Sequence, residues 1–203
     1  MTYIAHHGTR VALLLLQHIQ LVGLSLVIAV AIALPLGIVA AKRQRGSSLL
    51  LGMLGAIYTI PSLALLALLV QVAGLGPLPI VIALVAYAQF MLVRNIIAGL
   101  RGVDPAIRDA AAGIGMSPRE SLLRVELPLA FPVILGGVRV AAVAMVALAT
   151  LGGYIGAGGL GTLIFTGLAL HHTDEIVAGS ILASGLAIGI DLLLRTFERT
   201  VSF

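Results

Sequence analysis

The chain has 203 residues, of which 60% are hydrophobic and only 10% are charged. This composition excludes a soluble globular domain and indicates an integral membrane protein. The net charge of +4 comes without basic patches interleaved with aromatic residues, which excludes a nucleic-acid interface, and the absence of cysteine excludes a disulfide framework.

Five segments are apolar enough to cross a bilayer as helices, which takes roughly 20 residues each. They are predicted at about 19–41, 49–72, 78–100, 132–153 and 176–194. The sequence therefore predicts an all-α, polytopic membrane protein with five transmembrane helices in a single domain over residues 1–203.

The segment before the first span, residues 3–18, is apolar but carries Arg10, Gln17 and His18. This mixture predicts an amphipathic helix at the outer surface that leads into the span. The first span is too long, and too weakly preceded by positive charge, for a cleaved signal peptide, so we expect it to remain in the mature protein.

Pro61 falls in the middle of the second span. Its ring should free the carbonyl of Ile57 and kink the helix, and Thr59 or Ser62 can re-satisfy the local backbone. A kink would turn Tyr58 or Ser62 toward a solute pathway. The alternative is a bend made only for packing.

Gln89 and Asn95 are polar side chains in the third span, where lipid would not tolerate them. They are predicted to face either other helices or a water-filled path. The candidate pathway residues are Tyr58, Pro61, Ser62, Tyr87, Gln89 and Asn95.

The loop between the third and fourth spans, about 101–131, is polar and contains start and stop signals for short helices. Asp104 is a good N-cap before Pro105, and Gly115 suits the left-handed end of that helix. A capping box at Ser117 begins a second helix, which should end before Pro128. An apolar stripe at helical spacing is formed by Ala106, Ile107, Ala110, Ala111 and Ile114.

Two short helices hinged at a glycine predict a docking surface for another protein. The alternative interpretation is a helical loop that lies on the lipid headgroups.

The loop between the fourth and fifth spans contains Gly156-x-Gly158-x-x-Gly161, the spacing of a dinucleotide fingerprint. No strand precedes it, so the glycines are predicted to form either a flexible external turn beside the gate or a plain loop. The adjacent His171 and His172 would diverge on a helix, which favours a solvated loop over a metal site.

In the fifth span, Gly185 and Gly189 form a face of small residues that predicts close helix packing, within the chain or across a dimer. Asp191 and Arg195 are four positions apart and are expected to pair.

Basic residues set the orientation, because short cytoplasmic loops carry an excess of Lys and Arg. The loops 73–77 and 154–175 carry none. The N-terminus is therefore predicted outside, with the C-terminus and the central loop inside. Five helices are few to enclose a solute path, so we expect a dimer. The basic residues on the predicted inner side include Lys42, Arg43, Arg45, Arg101, Arg108, Arg119, Arg124, Arg195 and Arg199.

The central loop contains Asp109-Ala110-Ala111, then Gly115, then Val125-x-Leu127-Pro128. This motif resembles the EAA loop of the membrane subunits of binding-protein-dependent ABC importers. The resemblance implies a type I importer core with a cytoplasmic coupling helix. It also implies contact with the ATP-hydrolysing subunit through Asp109, Ala110, Ala111 and Gly115. An Asp stands where the family usually has Glu, which keeps the charge and shortens its reach.

Three further segments, 58–66, 93–95 and 156–161, are similar to those of permeases for osmoprotectants such as glycine betaine, choline and carnitine. The resemblance implies a multi-pass protein of a bacterial or archaeal cytoplasmic membrane that works by alternating access. The implied partners are cytoplasmic ATP-binding subunits, an identical or related second permease, an external substrate-binding protein and membrane lipid.

Two alternatives stay open. Permeases for methionine and other small solutes share this architecture. From a different class, the chain would be a non-transporting membrane scaffold or sensor subunit that uses the same docking loop.

The only lysine, Lys42, is followed by Arg43, which excludes a phosphate-binding loop ending in Gly-Lys-Ser/Thr. ATP hydrolysis is therefore expected in a partner chain, and we expect no catalytic, cofactor-binding or metal site here. Recognition of quaternary ammonium usually takes an aromatic cage. The chain has no Trp, and its four Tyr and five Phe are scattered along the sequence, so we expect tight selection in the external binding protein.

Overall fold

The computed structural model describes Tyr3 and residues 6–201, with Val201 described by its backbone alone. All regular secondary structure among these residues is helical. A π-helical turn spans Leu122–Glu126, and a 3-10 helix spans Thr150–Ile155. The α-helices are α1 (Gly8–Ala41), α2 (Gln44–Thr59), α3 (Ser62–Ala73), α4 (Pro77–Arg101), α5 (Pro105–Gly113), α6 (Pro118–Ser121), α7 (Leu127–Ala149), α8 (Gly161–Leu170) and α9 (Thr173–Val201).

The predicted spans correspond to helices of spanning length and composition, with one of them broken. The four unbroken units are α1, α4, α9 and the continuous helix Pro118–Ile155. The second span is the pair α2 and α3, which is bent by 89°. The kink predicted at Pro61 is confirmed, and it is a right-angle break because Ile60 and Pro61 both take extended backbone angles.

The first helix corrects the prediction of an amphipathic helix over residues 3–18 that lies at the outer surface and leads into the first span. From Gly8 onward these residues form one 34-residue helix with the first span, while residues 4 and 5 lie outside the described part of the chain. The prediction failed because Gln17 and His18 bond to other parts of the protein and do not face headgroups. At 1.5 Å per residue, α1 is about 51 Å long, well beyond the roughly 30 Å of hydrocarbon.

The helix that begins at Ser117 corrects a second prediction, since it does not end before Pro128. It runs through the π-helical turn into α7, so the fourth span begins at Pro118. In the turn, the Leu127 N–H donates to the carbonyl of Leu122, five residues back. This wider turn shifts the hydrogen-bond frame just before Pro128, whose ring would otherwise obstruct the preceding turn.

The core is built around α4, which packs between α1 and α7. Small residues permit this approach: Ala29 and Ala33 of α1 have no exposed surface. A Cβ on Gly37 would overlap the Ile96 side chain, and one on Gly137 of α7 would overlap Asn95. The helix axes therefore approach closely, as is typical of membrane helix pairs.

In the fifth span the structure removes one of two alternatives for the glycine face and corrects one predicted ion pair. Nothing in the described part of the chain lies within 4 Å of a Cβ built on Gly185 or Gly189, so this face does not pack within the chain. Asp191 pairs with Arg139 of α7 at 3.5 Å, and not with Arg195 as predicted. The pair forms between helices because α7 and α9 pack side by side, whereas the prediction considered a single helix.

Candidate coupling surface and solute pathway

The central loop carries a short helix, α5, that is capped at both ends. The Asp104 carboxylate accepts from the Ala106 N–H at 2.8 Å. At the other end, the N–H of Met116 donates to the carbonyl of Ala111 at 3.1 Å, and Gly115 has a φ of 84°. The predicted N-cap and left-handed stop are therefore confirmed.

The capping box after Gly115 is also confirmed. The Ser117 hydroxyl accepts from the Glu120 N–H, and the Glu120 carboxylate accepts from the Ser117 N–H at 2.9 Å. Because both caps use neighbours in sequence, the shape of residues 104–121 is set locally.

The residues that the resemblance assigns to coupling lie on this loop, but they do not all face outward. Asp109, Ala110 and Gly115 are exposed, whereas Ala111 is only 5% exposed and packs inward. Part of the apolar stripe is open as well, with Ile114 76% exposed. We call the exposed set Asp109, Ala110, Ile114 and Gly115 the coupling surface. Its mix of one carboxylate and small or apolar groups suits a protein partner better than water alone.

Arg108 connects the coupling surface to the spans, a role that sequence reasoning missed. Its guanidinium lies 3.1 Å from the Glu126 carboxylate and also donates to the carbonyl of Leu100. Nearby, Arg101 donates to the hydroxyl of Ser47 at 2.7 Å and to the carbonyl of Ala41 at 3.2 Å. A cavity of about 410 Å³ lies between these residues and α5.

The candidate pathway residues of the second span meet at the break. Tyr58 lies in the last turn of α2, and its ring stacks on Phe90 with centroids 5.4 Å apart and forms an edge contact with Tyr87 at 6.0 Å. The Tyr87 hydroxyl donates to the carbonyl of Ile60 at 2.7 Å. We call Tyr58, Tyr87 and Phe90 the aromatic corner. The aromatic residues are scattered along the sequence, but the expectation that they are also scattered in space is wrong here. α4 brings Tyr87 and Phe90 into contact with Tyr58.

The backbone at the break differs from the prediction in one bond. The carbonyl of Ile57 is not free, because the Ile60 N–H donates to it at 3.2 Å. The Thr59 hydroxyl does donate a hydrogen bond to the backbone, as predicted, but its acceptor is the carbonyl of Ala56. The extended Ile60 turns its N–H back into the last turn of α2, which the sequence pattern alone does not reveal. Ser62 is half-buried at the start of α3.

Gln89 and Asn95 lie between helices, away from the break. Gln89 is buried and donates to the carbonyl of Ala29 in α1 at 3.1 Å, as the interpretation of a protein-facing residue predicts. Asn95 donates to the carbonyl of Met91 in its own helix at 2.8 Å and packs on Gly137. The structure therefore groups Tyr58, Pro61, Ser62 and Tyr87 and separates these two amides from them.

At the opposite end from the coupling surface, a buried histidine fastens the glycine-rich turn. His18 has no exposed surface; its Nδ1 accepts from the Leu160 N–H at 3.2 Å, so Nε2 carries the proton and donates to the carbonyl of Val146 at 3.1 Å. Gln17 accepts from the Gly159 N–H at 3.2 Å. We call His18 and Gln17 with their three backbone partners the outer clip, after the side of the membrane that the sequence predicts for this turn.

The segment Gly156–Gly161 is a turn, as predicted, and the outer clip bonds it to α1 through the N–H groups of Gly159 and Leu160. Gly156, Gly158 and Gly159 have positive φ, and a Cβ on Gly161 would overlap the Thr150 carbonyl, so the turn folds back tightly onto the 3-10 helix. The chain then continues into α8, a short apolar helix. The sequence indicates this arrangement only through a histidine, His18, in an apolar segment. It does not indicate which backbone groups that histidine bonds to.

The same end holds a small ionic cluster. Arg10 donates to the Tyr3 hydroxyl at 2.9 Å and lies 3.9 Å from the buried Glu175, which is also 3.9 Å from His172. Burial and the hydrogen bond to Glu175 raise the pKa of the Tyr3 phenol. The loop 73–77 joins this end through the Gly76 N–H, which donates to the carbonyl of Ile155 at 3.0 Å. The loops that lack basic residues thus share one end of the molecule with the start of α1.

Comparison with known proteins gives consistent matches over most of the chain. Residues 33–202 match the family model described as binding-protein-dependent transport system inner membrane component. A choline transport system permease protein of Bacillus subtilis is 38% identical over 186 residues, covering 92% of this chain and 86% of the relative. A glycine betaine/carnitine/choline transport system permease protein of the same organism is 34% identical over 202 residues, covering 100% and 93%.

Among solved structures, the chain is similar to the MetNI methionine ABC transporter in an inward-facing conformation. The TM-score is 0.85 at 18% identity, with 97% of this chain and 98% of the other covered. At this level of identity the likeness establishes the fold alone.

Proposed function

The chain belongs to the family of binding-protein-dependent transport system inner membrane components, and from this premise we propose that it is the permease of an osmoprotectant ABC importer. It is a multi-pass inner-membrane protein and not an enzyme, and the family implies a separate ATPase and a substrate-binding protein as partners. The observation that carries the proposal is the exposed, locally capped coupling surface, which ends at the left-handed Gly115.

Coupling would begin where the ATPase contacts Asp109, Ala110 and Gly115. Movement of this surface can reach the spans by two routes: the ion pair between Arg108 and Glu126, and the continuous helix Pro118–Ile155. Both routes end in α7, which packs on α4 and α9. A rigid displacement of α7 relative to α4 is the movement that we infer for alternating access.

The proposed cargo is a quaternary amine such as glycine betaine, choline or carnitine. The support comes from the named functions of the two Bacillus relatives and from the segments around Tyr58 and Gly156. The likeness to the methionine transporter concerns fold alone and therefore favours no cargo. A scaffold or sensor function, the alternative from another class, has no supporting observation of its own.

We further propose that two permeases associate, as identical or related chains. The face of α9 at Gly185 and Gly189 has room for the close approach of another helix. The side of the break that faces away from α4 is also open, since Leu63 is 55% exposed. A second permease would cover such surfaces and complete the wall of a solute path.

The proposed orientation places the coupling surface inside and the outer clip outside. In this cysteine-free chain, Arg119→Cys and His172→Cys sit at opposite ends on exposed residues. An impermeant thiol reagent added to whole cells should label His172→Cys and should label Arg119→Cys only after permeabilisation. The reverse pattern would invert the orientation.

The transport proposal is tested with the permease, its ATPase and its binding protein reconstituted in proteoliposomes. We expect ATP-dependent accumulation of radiolabelled glycine betaine, choline or carnitine, and none with an ATPase variant that cannot hydrolyse ATP. Accumulation of methionine in place of the quaternary amines would refute the proposed cargo. Assembly of the three components without accumulation of any solute would favour the scaffold.

A further inference from the structure

Tyr58 is the most accessible ring of the aromatic corner, in which Phe90 is only partly exposed. Tyr87 is 4% exposed, whereas Tyr58 is 41% exposed. Tyr87 and Phe90 are one helical turn apart on α4, so both contact Tyr58 from the α4 side. The accessible side of Tyr58 is therefore the side that faces away from α4.

The other side of the break has no space for a solute. The crevice behind it, lined by Ser62, Leu66, Tyr87 and neighbouring apolar residues, has a volume of about 10 Å³. This is at the limit for a single water molecule, which needs roughly 10–15 Å³ of such space, and it is too small for a quaternary ammonium group. The open side of Tyr58 is therefore the side of this ring where a solute has room.

The charge around the break restricts which solute can stay there. The first acidic residue in the chain is Asp104, so no carboxylate lies in α1 to α4. The favourable groups for a cation at this place are the ring face of Tyr58 and the last carbonyls of α2, where a helix carries partial negative charge. An ammonium group with N–H donors would lose its hydration without enough acceptors. A quaternary ammonium group has no N–H to satisfy and binds to an aromatic face.

We propose that the open face of Tyr58 is a transit site for the quaternary ammonium group of the cargo. This inference rests on the proposed function and adds the place where the permease itself contacts the solute. Phe90 supports the Tyr58 ring from behind, with the two ring centroids 5.4 Å apart. Tyr87 is a positioning residue, because its hydroxyl fixes the carbonyl of Ile60 and with it the angle of the break.

A single ring gives a weak site, as transit requires. The binding protein would set the concentration at which uptake is half-maximal, and Tyr58 would set how fast the cargo crosses. Replacement of Tyr58 should therefore lower the maximal rate and leave the half-saturating concentration unchanged.

The test measures glycine betaine or choline uptake by the complete importer in proteoliposomes. Tyr58→Leu should lower the maximal rate roughly fivefold to thirtyfold, and Tyr58→Phe should stay within about twofold of the original, since only the ring face matters. Phe197→Leu, an exposed aromatic residue near the end of α9, is the matched control and should have no effect.

A second series protects the test against a folding defect of Tyr58→Leu. Phenylalanines with one, two or three fluorine atoms at position 58 keep the shape of the ring and progressively remove electron density from its face. The maximal rate should fall stepwise along this series. Equal rates along the series, with active uptake by the unmodified importer, would overturn the transit site and leave the proposed function intact. Absence of uptake by the unmodified importer would overturn both.

Discussion

The two ends of the molecule are fixed in opposite ways. At the outer clip, His18 is fully buried and bonds to backbone groups 128 and 142 positions away in sequence. At the coupling surface, the caps at Asp104 and Ser117 use neighbours two or three positions away, and the side chains that they present are exposed. The end that carries the outer clip is therefore complete within one chain, whereas the end that carries the coupling surface has a defined shape and exposed side chains, on which we propose that the ATPase docks.

This difference separates two kinds of function. A turn held by long-range buried bonds ties together the helices that supply those bonds, here α1 and α7. A locally folded surface keeps its shape in every state of the protein and can move as a unit with whatever docks on it. Changes at the two ends should accordingly have different consequences.

The largest effect is expected from His18→Ala at the outer clip. It leaves the Leu160 N–H and the Val146 carbonyl buried without partners, which should lower the free energy of unfolding by about 2–4 kcal/mol. Thermal unfolding of the purified protein in detergent measures this effect. His18→Asn, which can keep the acceptor for Leu160, should recover part of the loss. Gln20→Ala, an exposed polar residue on the same helix, is the control.

If His18→Ala unfolds at the original temperature, the outer clip does not stabilise the outer end. The two ends would then differ in where their bonding partners lie in the sequence but not in how those bonds contribute to stability.

At the coupling surface, Gly115→Val should act on docking while the spans stay folded. A β-branched residue at a φ of 84° costs about 1–3 kcal/mol, and the loop can relieve this strain by changing its shape. We expect the ATPase to be lost on co-purification and coupled uptake to drop at least about tenfold. The strain lowers the affinity of docking, and roughly 1.4 kcal/mol corresponds to one factor of ten in affinity. Gly113→Val, in the same loop without positive φ, is the matched control.

Normal co-purification of the ATPase with fully coupled uptake in Gly115→Val would contradict the coupling surface as described. A lower unfolding temperature for the spans would contradict the local character of this end.

The smallest effect is expected at the ion pair that connects the coupling surface to α7. Arg108 and Glu126 are both partly exposed, so breaking the pair should cost about 1 kcal/mol or less in stability. Arg108→Ala and Glu126→Gln should each reduce uptake per ATP hydrolysed by about twofold to fivefold, and the double variant should be no worse than either alone. Arg119→Ala, an exposed arginine in α6, is the control. Additive losses would show that the two side chains act separately.

The same contrast explains what the sequence could predict. The caps at Asp104 and Ser117 and the left-handed Gly115 were predictable because each depends on a few adjacent residues. The break at Pro61 was predictable in position, but its angle depends on Tyr87, which comes from another helix. The outer clip was not predictable, because nothing near His18 in sequence indicates Leu160 or Val146. The partner of Asp191 was also not predictable. It is Arg139 of α7 and not the predicted Arg195, because the pair forms between helices that are distant in sequence.

Continuity from α6 to α7 was missed for a different reason. Proline at position 128 normally marks the end of a helix, and the π-helical turn that allows the chain to continue leaves no distinct residue pattern.

The π-helical turn also determines how tolerant the protein is to changes in chain length. A π turn holds one residue more than the α-helix that would replace it. Deletion of a single residue within 122–126 would replace the wider turn with an ordinary one and leave the faces of α7 nearly where they are, because the π turn already absorbs one extra residue. The same deletion farther along α7 would rotate every later side chain by about 100°, so that each would face the wrong neighbour. The tolerance of the fourth span to a lost residue is therefore confined to the π turn.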